Sequence, residues 1–181
     1  MKFVNKVGIV SAIIFSGATM AASDFRSEKA YCIDHDGKVE SMVAKFGSDL
    51  NGFEKEFCTF EKGDGFIAVG LDTYASEKPS IAATYIQRLN PIPDGSSLRE
   101  GPETNPSMNV CTNLGGSSIT FNVVSGGFTN NLGASDICTF GDGSMVSAWS
   151  LMYMADGRQD YDQVKDTVRS EPISFMYIPG Q

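Results

Sequence analysis

The chain has 181 residues, and its 22 acidic and 14 basic side chains give a formal net charge of −8 at pH 7. This excess of negative charge repels nucleic acid and anionic lipid surfaces, so the sequence excludes a function that depends on unspecific phosphate binding. The same charge favours a cationic partner.

Residues 1–22 have the pattern of a secretory signal peptide. Lys2 and Lys6 precede or flank a short apolar segment at residues 7–15, and Ala22 supplies a small residue at the cleavage position. This segment and every later apolar segment are shorter than a membrane span, although an uncleaved N-terminal anchor is the alternative. We therefore expect an exported protein, periplasmic or secreted, that is soluble after cleavage. The mature chain keeps 12 basic and 22 acidic side chains, a net charge of −10.

The first part of the mature chain, residues 23–92, has the pattern of one small unit of helices and strands. Its predicted elements are a helix at 27–35, strands at 38–46 and 53–60 around a turn at 47–52, a third strand after Asp64-Gly65, and a helix at 80–89. Asp-Gly is typical of a hairpin turn, and Gly37 is typical of a helix end. This unit is therefore predicted to contain a three-stranded antiparallel sheet between two helices.

Residues 93–104 are rich in turn formers and lack apolar periodicity, which predicts a linker. Residues 105–181 then repeat the same order of elements. These are a helix opened by Asn105 and Pro106 and ended by Gly115-Gly116, strands at 117–125 and 128–140, a third strand after Asp142-Gly143, and a helix at 160–169. Asparagine is a favoured N-cap, and proline is favoured at the first helical position. An apolar segment at 173–178 adds a predicted edge strand.

Three large side chains alternate along the predicted third strand of the second unit. Trp149, Leu151 and Tyr153 are each two residues apart, which places them on one face of a strand. Packing in the core explains such a stripe better than a binding platform does.

The two units repeat the same landmarks at a nearly constant spacing. This spacing is 79 residues from Cys32 to Cys111 and 80 residues from Cys58 to Cys138. A steady offset over the whole mature chain indicates internal duplication. The sequence therefore predicts an α+β fold of two tandem repeats, each with a helix, a three-stranded antiparallel sheet and a second helix.

Four cysteines in an exported chain favour disulfide bonds. Three pairings are available, and we favour Cys32–Cys58 and Cys111–Cys138 because each repeat then closes on its own. A disulfide across a loop of this length stabilises by about 3–4 kcal/mol in the chain-entropy model. The alternative is a zinc site made of four thiolates, but the chain lacks the short Cys-x-x-Cys pair that is typical of such sites.

Two segments of the second repeat resemble a known family. NPSMNVCTNLGG at 105–116 resembles its opening pattern of Asn-Pro, a cysteine and a Gly-Gly pair, and ICTFGDGSMVSAWSLMY at 137–153 resembles its block of a cysteine, Asp-Gly-Ser and a tryptophan. The family consists of small exported bacterial envelope domains that carry the label hemolysin. The resemblance is clearest over residues 105–153, with a degenerate second copy at 27–75. It implies an exported domain and no established activity.

Few side chains form a candidate catalytic or metal site. His35, the single histidine, lies between Asp34 and Asp36, and a solvated turn explains it better than metal binding. Asp64 and Asp142 occupy matched turns and are the carboxylates that a hydrolase would use, although turn chemistry explains both. The sequence therefore predicts no catalytic residue, no metal site and no cofactor.

The glycine- and asparagine-rich loop at 126–133 is the candidate binding tip of the chain. Phe128, Asn130 and Asn131 are its candidate contact residues, and a plain long hairpin explains the loop equally well.

A rigid duplicated scaffold without catalytic residues favours an exported non-catalytic binding or structural protein of the bacterial envelope or secretome. Its partner would be a protein or a glycan, and a hydrolase inhibitor is one member of this class. A carboxylate-based hydrolase and a membrane-active, hemolysin-like protein are the alternatives.

Overall fold

The structure is a computed structural model that describes residues 20–46, 49–62, 65–125 and 133–179. The elements in these residues are α1 (Met20–Asp34), β1 (Lys38–Phe46), β2 (Asp49–Lys62), β3 (Gly65–Gly70), α2 (Leu71–Ala75), α3 (Ile81–Arg88), a 3₁₀ turn (Ser97–Arg99), α4 (Pro106–Asn113), β4 (Ser117–Ser125), β5 (Ala134–Thr139), β6 (Met145–Ser147), α5 (Ala148–Ala155) and α6 (Tyr161–Asp166). Helices and antiparallel strands occur together, which confirms the predicted α+β class.

The six strands form one closed barrel in the order β1-β2-β3-β6-β5-β4. Every neighbouring pair is antiparallel, and the barrel closes where β1 pairs with β4 and β3 pairs with β6. The prediction of a separate three-stranded sheet in each repeat is therefore wrong. A three-stranded sheet leaves two edges of unpaired backbone groups, and joining two such sheets at both edges satisfies those groups.

Alternate residues of the strands point into the barrel and form an inner hydrophobic core. Its fully buried members are Met42, Ala44, Phe57, Ala68, Phe121, Ile137 and Met145. The rings of Phe57 and Phe121 meet edge to face, with their centroids 5.5 Å apart. A small barrel has an interior that side chains of this size can fill.

The outward faces of the strands pack beneath the helices and form a second core. It includes Ile67 and Val69 of β3, Tyr74 of α2, Ile86 of α3 and Leu151 of α5. These residues come from both parts of the chain, so the helices of the two predicted repeats share one hydrophobic core.

Two buried disulfides tie an opening helix to a strand of the barrel. Cys32 on α1 bonds Cys58 on β2, and Cys111 on α4 bonds Cys138 on β5. The Cα atoms of the bonded cysteines are 5.7 and 5.6 Å apart, which is ordinary disulfide geometry. The cysteines thus pair as their spacing favours.

A glycine follows each opening helix where the backbone passes over the disulfide. A Cβ atom on Gly37 would lie 2.5 Å from Cys58 Sγ, and one on Gly116 would lie 2.6 Å from Cys138 Sγ. The N–H group of each glycine also donates to the carbonyl of the cysteine five residues earlier, at 2.9 Å. The close approach of backbone to sulfur therefore requires glycine at both positions.

The apolar segment after the second Asp-Gly turn is mostly helical. β6 has only three residues, so Trp149, Leu151 and Tyr153 lie on α5 and the prediction that they share a strand face is wrong. Leu151 is buried, whereas Trp149 and Tyr153 are half-buried and stack with their ring centroids 5.2 Å apart. A segment that is apolar at nearly every position fits both the strand and the helix period, and its alanine, leucine and methionine residues favour the helix.

The last predicted strands differ from the structure as well. β5 covers Ala134–Thr139 of the predicted strand at 128–140, and residues 126–132 lie outside the described part of the chain. Residues 173–178 form turns and coil, so the predicted edge strand is wrong. A closed barrel offers no edge for it to pair with. Ile178 is instead buried against the outer core, whereas Phe175 is fully exposed.

The predicted linker at 93–104 is held in place by side chains of the second half. Arg99 forms ion pairs with Asp94 at 3.0 Å and with Asp156, at the end of α5, at 3.1 Å. The Asn109 side chain of α4 donates to the carbonyls of Arg99 and Glu103. These contacts give the segment one defined path across the surface.

The N-terminal end of α1 overlaps the predicted signal peptide. Residues 1–19 lie outside the described residues, and α1 begins at Met20, before the predicted cleavage position after Ala22. Among the helices that the structure describes, none combines the length and the apolar character needed to span a bilayer.

Candidate functional site

The concave surface around α2 is the candidate binding site. Three adjoining concavities of about 490, 280 and 160 Å³ share Glu28, Asp72, Ser76 and Lys78 along their borders. We call this continuous surface the α2 groove. Its lining residues are Ser27, Glu28, Ser41, Glu54, Lys55, Glu56, Leu71, Asp72, Thr73, Ala75, Ser76, Glu77, Lys78, Pro79, Ser80, Asp142, Ser144 and Arg169.

Strands β1 and β2 form one wall of the α2 groove. Ser41 lies opposite Glu56 in the register of the two strands, and both side chains point outward because their neighbours Met42 and Phe57 point into the barrel. The Ser41 hydroxyl donates to the carboxylate of Glu54 on β2. The wall therefore presents one hydroxyl and two carboxylates side by side.

The opposite side of the groove is fixed through the start of α2. The Asp72 carboxylate accepts a hydrogen bond from the N–H of Thr73 at 2.8 Å. The Thr73 hydroxyl in turn accepts a hydrogen bond from the N–H of Met145 on β6 at 2.9 Å. A strand of the second half thus helps to position a carboxylate of the groove.

The α2 groove carries more negative than positive charge. Six carboxylates and three cationic side chains line it. Glu56 pairs with Lys29 of α1 at 2.7 Å, and Glu77 pairs with Arg169. These ion pairs leave an excess of carboxylates in the groove.

Three carboxylates of the groove keep the capacity to accept hydrogen bonds. Glu54 and Asp72 have no cationic partner within the described residues. The Oε2 atom of Glu56 is buried and has no hydrogen-bond partner in the same part of the chain. A buried acceptor without a partner destabilises the folded state, and a donor on a ligand would remove this penalty. The groove can therefore accept ammonium or guanidinium donors.

Asp142 lies at the far end of the groove and caps α3. Its Oδ2 accepts a hydrogen bond from the N–H of Ile81 at 2.8 Å, and its Oδ1 accepts from the N–H and the hydroxyl of Ser144. Burial raises the pKa of Asp142, but the hydrogen bonds from Ser144 and Ile81 outweigh burial and hold the pKa below its ordinary value. Asp142 is therefore an ionised carboxylate that joins a turn of the second half to a helix of the first half.

His35 lies outside the α2 groove, just after α1. Its Nδ1 is 2.8 Å from the carbonyl oxygen of Tyr31, and the two rings pack with their centroids 4.1 Å apart. Together with Asp34 and Asp36 it lines a separate concavity of about 220 Å³. In the part of the chain that the structure describes, no group of three or more His, Cys, Asp or Glu side chains is placed to hold a metal ion.

Several predicted site residues lie outside the described residues. They are Asp64 and the candidate binding loop with Phe128, Asn130 and Asn131. The roles proposed for them stay predictions.

Sequence analysis did not find the α2 groove. Its lining residues come from α1, β1, β2, α2, the segment after α2, the β5–β6 turn and residue 169, so no single stretch of sequence contains the site. The one local signal is the run Glu54-Lys55-Glu56 inside a predicted strand, since charged side chains on alternate residues indicate an exposed strand face.

Shape and charge are the evidence for the α2 groove as a site. The surface is concave, its walls are held by hydrogen bonds from both halves of the chain, and it has carboxylate oxygens that can accept further hydrogen bonds. Comparison of the chain with protein-family models, with curated proteins and with solved structures finds no match.

Proposed function

We propose that the protein is an exported, non-catalytic binding protein whose α2 groove takes a cationic partner. The observation that supports this proposal is the composition of the largest concavity, about 490 Å³, where Glu28, Glu54, Glu56 and Asp72 face a single cation, Lys55. The net charge of the whole chain, −8, adds a long-range attraction for cations.

The partner that best fits this chemistry is a basic segment of another exported protein. Lysine offers an ammonium group and arginine offers a planar guanidinium group, and both donate to carboxylates. The Cys32–Cys58 disulfide ties α1 to β2, two elements that line the groove, so little of the site would have to be ordered on binding. A glycan with amino groups offers the same donors and is the alternative partner. A hydrolase inhibitor would be one form of this function.

We also propose that the scaffold arose by internal duplication. The order of a helix, three strands and two helices occurs twice along the chain. Where the barrel closes, Val69 pairs with Val146, and each of them lies opposite the strand cysteine of its own half. At the other junction Val43 pairs with Asn122, which is 79 residues later, the spacing between the helix cysteines. Two copies related by a two-fold axis through both junctions would pair in this way.

A carboxylate-based hydrolase is the second candidate function, because Asp72 and Asp142 line the same concavity of about 160 Å³. A general acid must hold a proton, whereas the hydrogen bonds to Asp142 lower its pKa and keep it ionised. The membrane-active alternative rests only on the resemblance of residues 105–153 to the hemolysin-labelled family.

Calorimetric titration of the mature protein with a lysine decapeptide tests the binding proposal. We expect saturable binding that weakens by about tenfold or more when the salt concentration is raised from about 50 to 500 mM, because exposed charges are screened. The double variant Glu54→Gln, Asp72→Asn should weaken binding by about tenfold, since it removes the two carboxylates without a cationic partner.

The matched control is the double variant Glu171→Gln, Asp166→Asn, which removes the same charge from exposed residues outside the groove. Equal affinities of the two double variants would show that only net charge matters and would refute the groove as the site. Binding to an amino-sugar oligomer but not to the decapeptide would assign the groove to a glycan. Hydrolysis of such an oligomer that is lost in Asp142→Asn would favour the hydrolase.

A further inference from the structure

One carboxylate of the chain lies inside the barrel. Glu40 on β1 is opposite Phe57 on β2, and it alternates with Met42, which belongs to the inner core. It is 1% exposed, and its Oε2 atom has no hydrogen-bond partner among the described residues. A carboxylate in such a place is unfavourable when it is ionised and unpaired.

The charged groups that face Glu40 are Lys38 on its own strand and Glu61 on β2. These two side chains pair with each other at 3.2 Å, and they are 55% and 48% exposed, so they lie at the solvent end of the barrel. Burial raises the pKa of Glu40, a hydrogen bond with Thr59 and the charge of Lys38 oppose this increase, and Glu61 adds to it.

The other strands contribute uncharged side chains to the described interior. β4, the second neighbour of β1, contributes Phe121 and Val123, and β3 contributes Phe66 and Ala68. β5 and β6 contribute Ile137 and Met145 together with Ser135 and Ser147, whose hydroxyls bond each other. No charge from these strands compensates Glu40 within the described residues.

The matched position of the second half is apolar. Ile119 on β4 pairs with Ile137 on β5, just as Glu40 pairs with Phe57. The second half therefore shows that an apolar pair satisfies the barrel at this point. The carboxylate of Glu40 is not required by the fold, which points to a different role.

We propose that Glu40 is a pH-sensitive switch of the β1–β2 wall, which is closed when Glu40 is protonated and loosened when it is ionised. The proposal goes beyond the binding function and does not depend on it. A neutral carboxyl is tolerated in the inner core, whereas a carboxylate draws water toward the strands. Ser41 and Glu56 lie on the same two strands and line the α2 groove, so loosening would reach the groove wall.

The sign of the pH dependence follows from the direction of the pKa shift. A carboxyl with a raised pKa holds its proton in the folded state above the ordinary glutamate value of 4.5, where the unfolded chain has lost it. The contribution of Glu40 to stability is therefore complete below that value and is lost as the pH rises through the pKa of the folded state.

Urea unfolding of the oxidised protein between about pH 5 and pH 8, combined with hydrogen exchange of peptides from β1 and β2, tests the switch. In the wild type we expect the folded-to-unfolded ratio and the protection of these strands to fall as the pH rises. In Glu40→Gln, a neutral mimic of the protonated form, both should stay high at the upper pH. The ratio should rise there by about tenfold for each unit of pKa shift that the substitution removes.

Glu171→Gln removes an exposed glutamate, and it should keep the wild-type pH dependence. Glu40→Ile, which introduces the residue of the matched position, is a second neutral variant in case the glutamine variant does not fold. His35 is present in every variant, so its titration cancels in the comparison. The same pH dependence in the wild type and in both neutral variants would overturn the proposal, as would lower stability of the neutral variants at the upper pH.

Discussion

The two halves of the chain share a scaffold and differ in the surface beside their third strand. The second residue of the helix after β3 is Asp72, which lines the acidic α2 groove. The second residue of the helix after β6 is Trp149, which stacks on Tyr153, while Arg158 lies 4.4 Å from the centre of the Tyr153 ring. One framework thus carries an acidic surface on one side and an aromatic surface on the other. Its disulfide, glycine and strand registers determine the shape, and a few exposed side chains determine the chemistry.

The disulfides give the strongest test of the shared scaffold. Replacing Cys32 and Cys58 by alanine should reduce the free energy of unfolding by about 3–4 kcal/mol, and replacing Cys111 and Cys138 should have the same effect. The reason is that the two bonds close loops of nearly equal length, 26 and 27 residues. Urea unfolding of both double variants measures the two losses, and losses that differ by more than about twofold would show that the halves are not equivalent.

Asp142 tests how strongly one half depends on the other. Asp142→Ala removes the acceptor for the first turn of α3 and should reduce the free energy of unfolding by about 1–2 kcal/mol at neutral pH. Because hydrogen bonds hold its pKa below the ordinary value of 3.8, this stabilisation is complete above that value and is lost as the pH falls through the pKa of the folded state.

Urea unfolding at neutral and at strongly acidic pH measures both effects of Asp142→Ala. The difference between wild type and variant should shrink in acid, whereas the exposed Asp166→Asn control should show only a small effect at either pH. A constant difference at all pH values would assign the loss to packing instead of to the charged cap.

The smallest expected effect concerns a hydroxyl that both halves place beside a carboxylate. Ser41 donates to Glu54, and Thr120 donates to Asp136 at 2.9 Å. Ser41→Ala and Thr120→Val should each reduce the free energy of unfolding by about 0.5–1 kcal/mol, because the carboxylates remain accessible to water. Binding of the lysine decapeptide should change in Ser41→Ala alone. A change of equal size in Thr120→Val would remove the distinction between the two surfaces.

Local sequence signals predicted the elements that contain their own start and stop residues. The predicted strands at 38–46 and 117–125 coincide with β1 and β4, and the helix opened by Asn105 and Pro106 is α4, with the Asn105 side chain as its cap. Strand-forming residues bounded by glycine and a capping residue before proline act within a few residues, so they can be read without the fold.

Signals that depend on partners far along the chain were not readable in this way. The apolar segment at 148–155 satisfies both a strand and a helix pattern, and the packing of α5 on the outer core selects the helix. The α2 groove was missed because Glu54, Asp72 and Asp142 meet only after the barrel closes. Asp142 looked like a turn residue alone, and its hydrogen bond to Ile81 joins residues 61 positions apart.

The sequence by itself determined the α+β class, the spacing that pairs Cys32 with Cys58 and Cys111 with Cys138, and the two nearly identical runs of strand-forming residues. Only the tertiary structure decided that six strands form one barrel, that Glu40 lies inside it and that an acidic groove surrounds α2. The physical reason is that propensity and residue spacing act locally, whereas burial, charge and hydrogen bonding at these sites depend on strands that pair across the two halves.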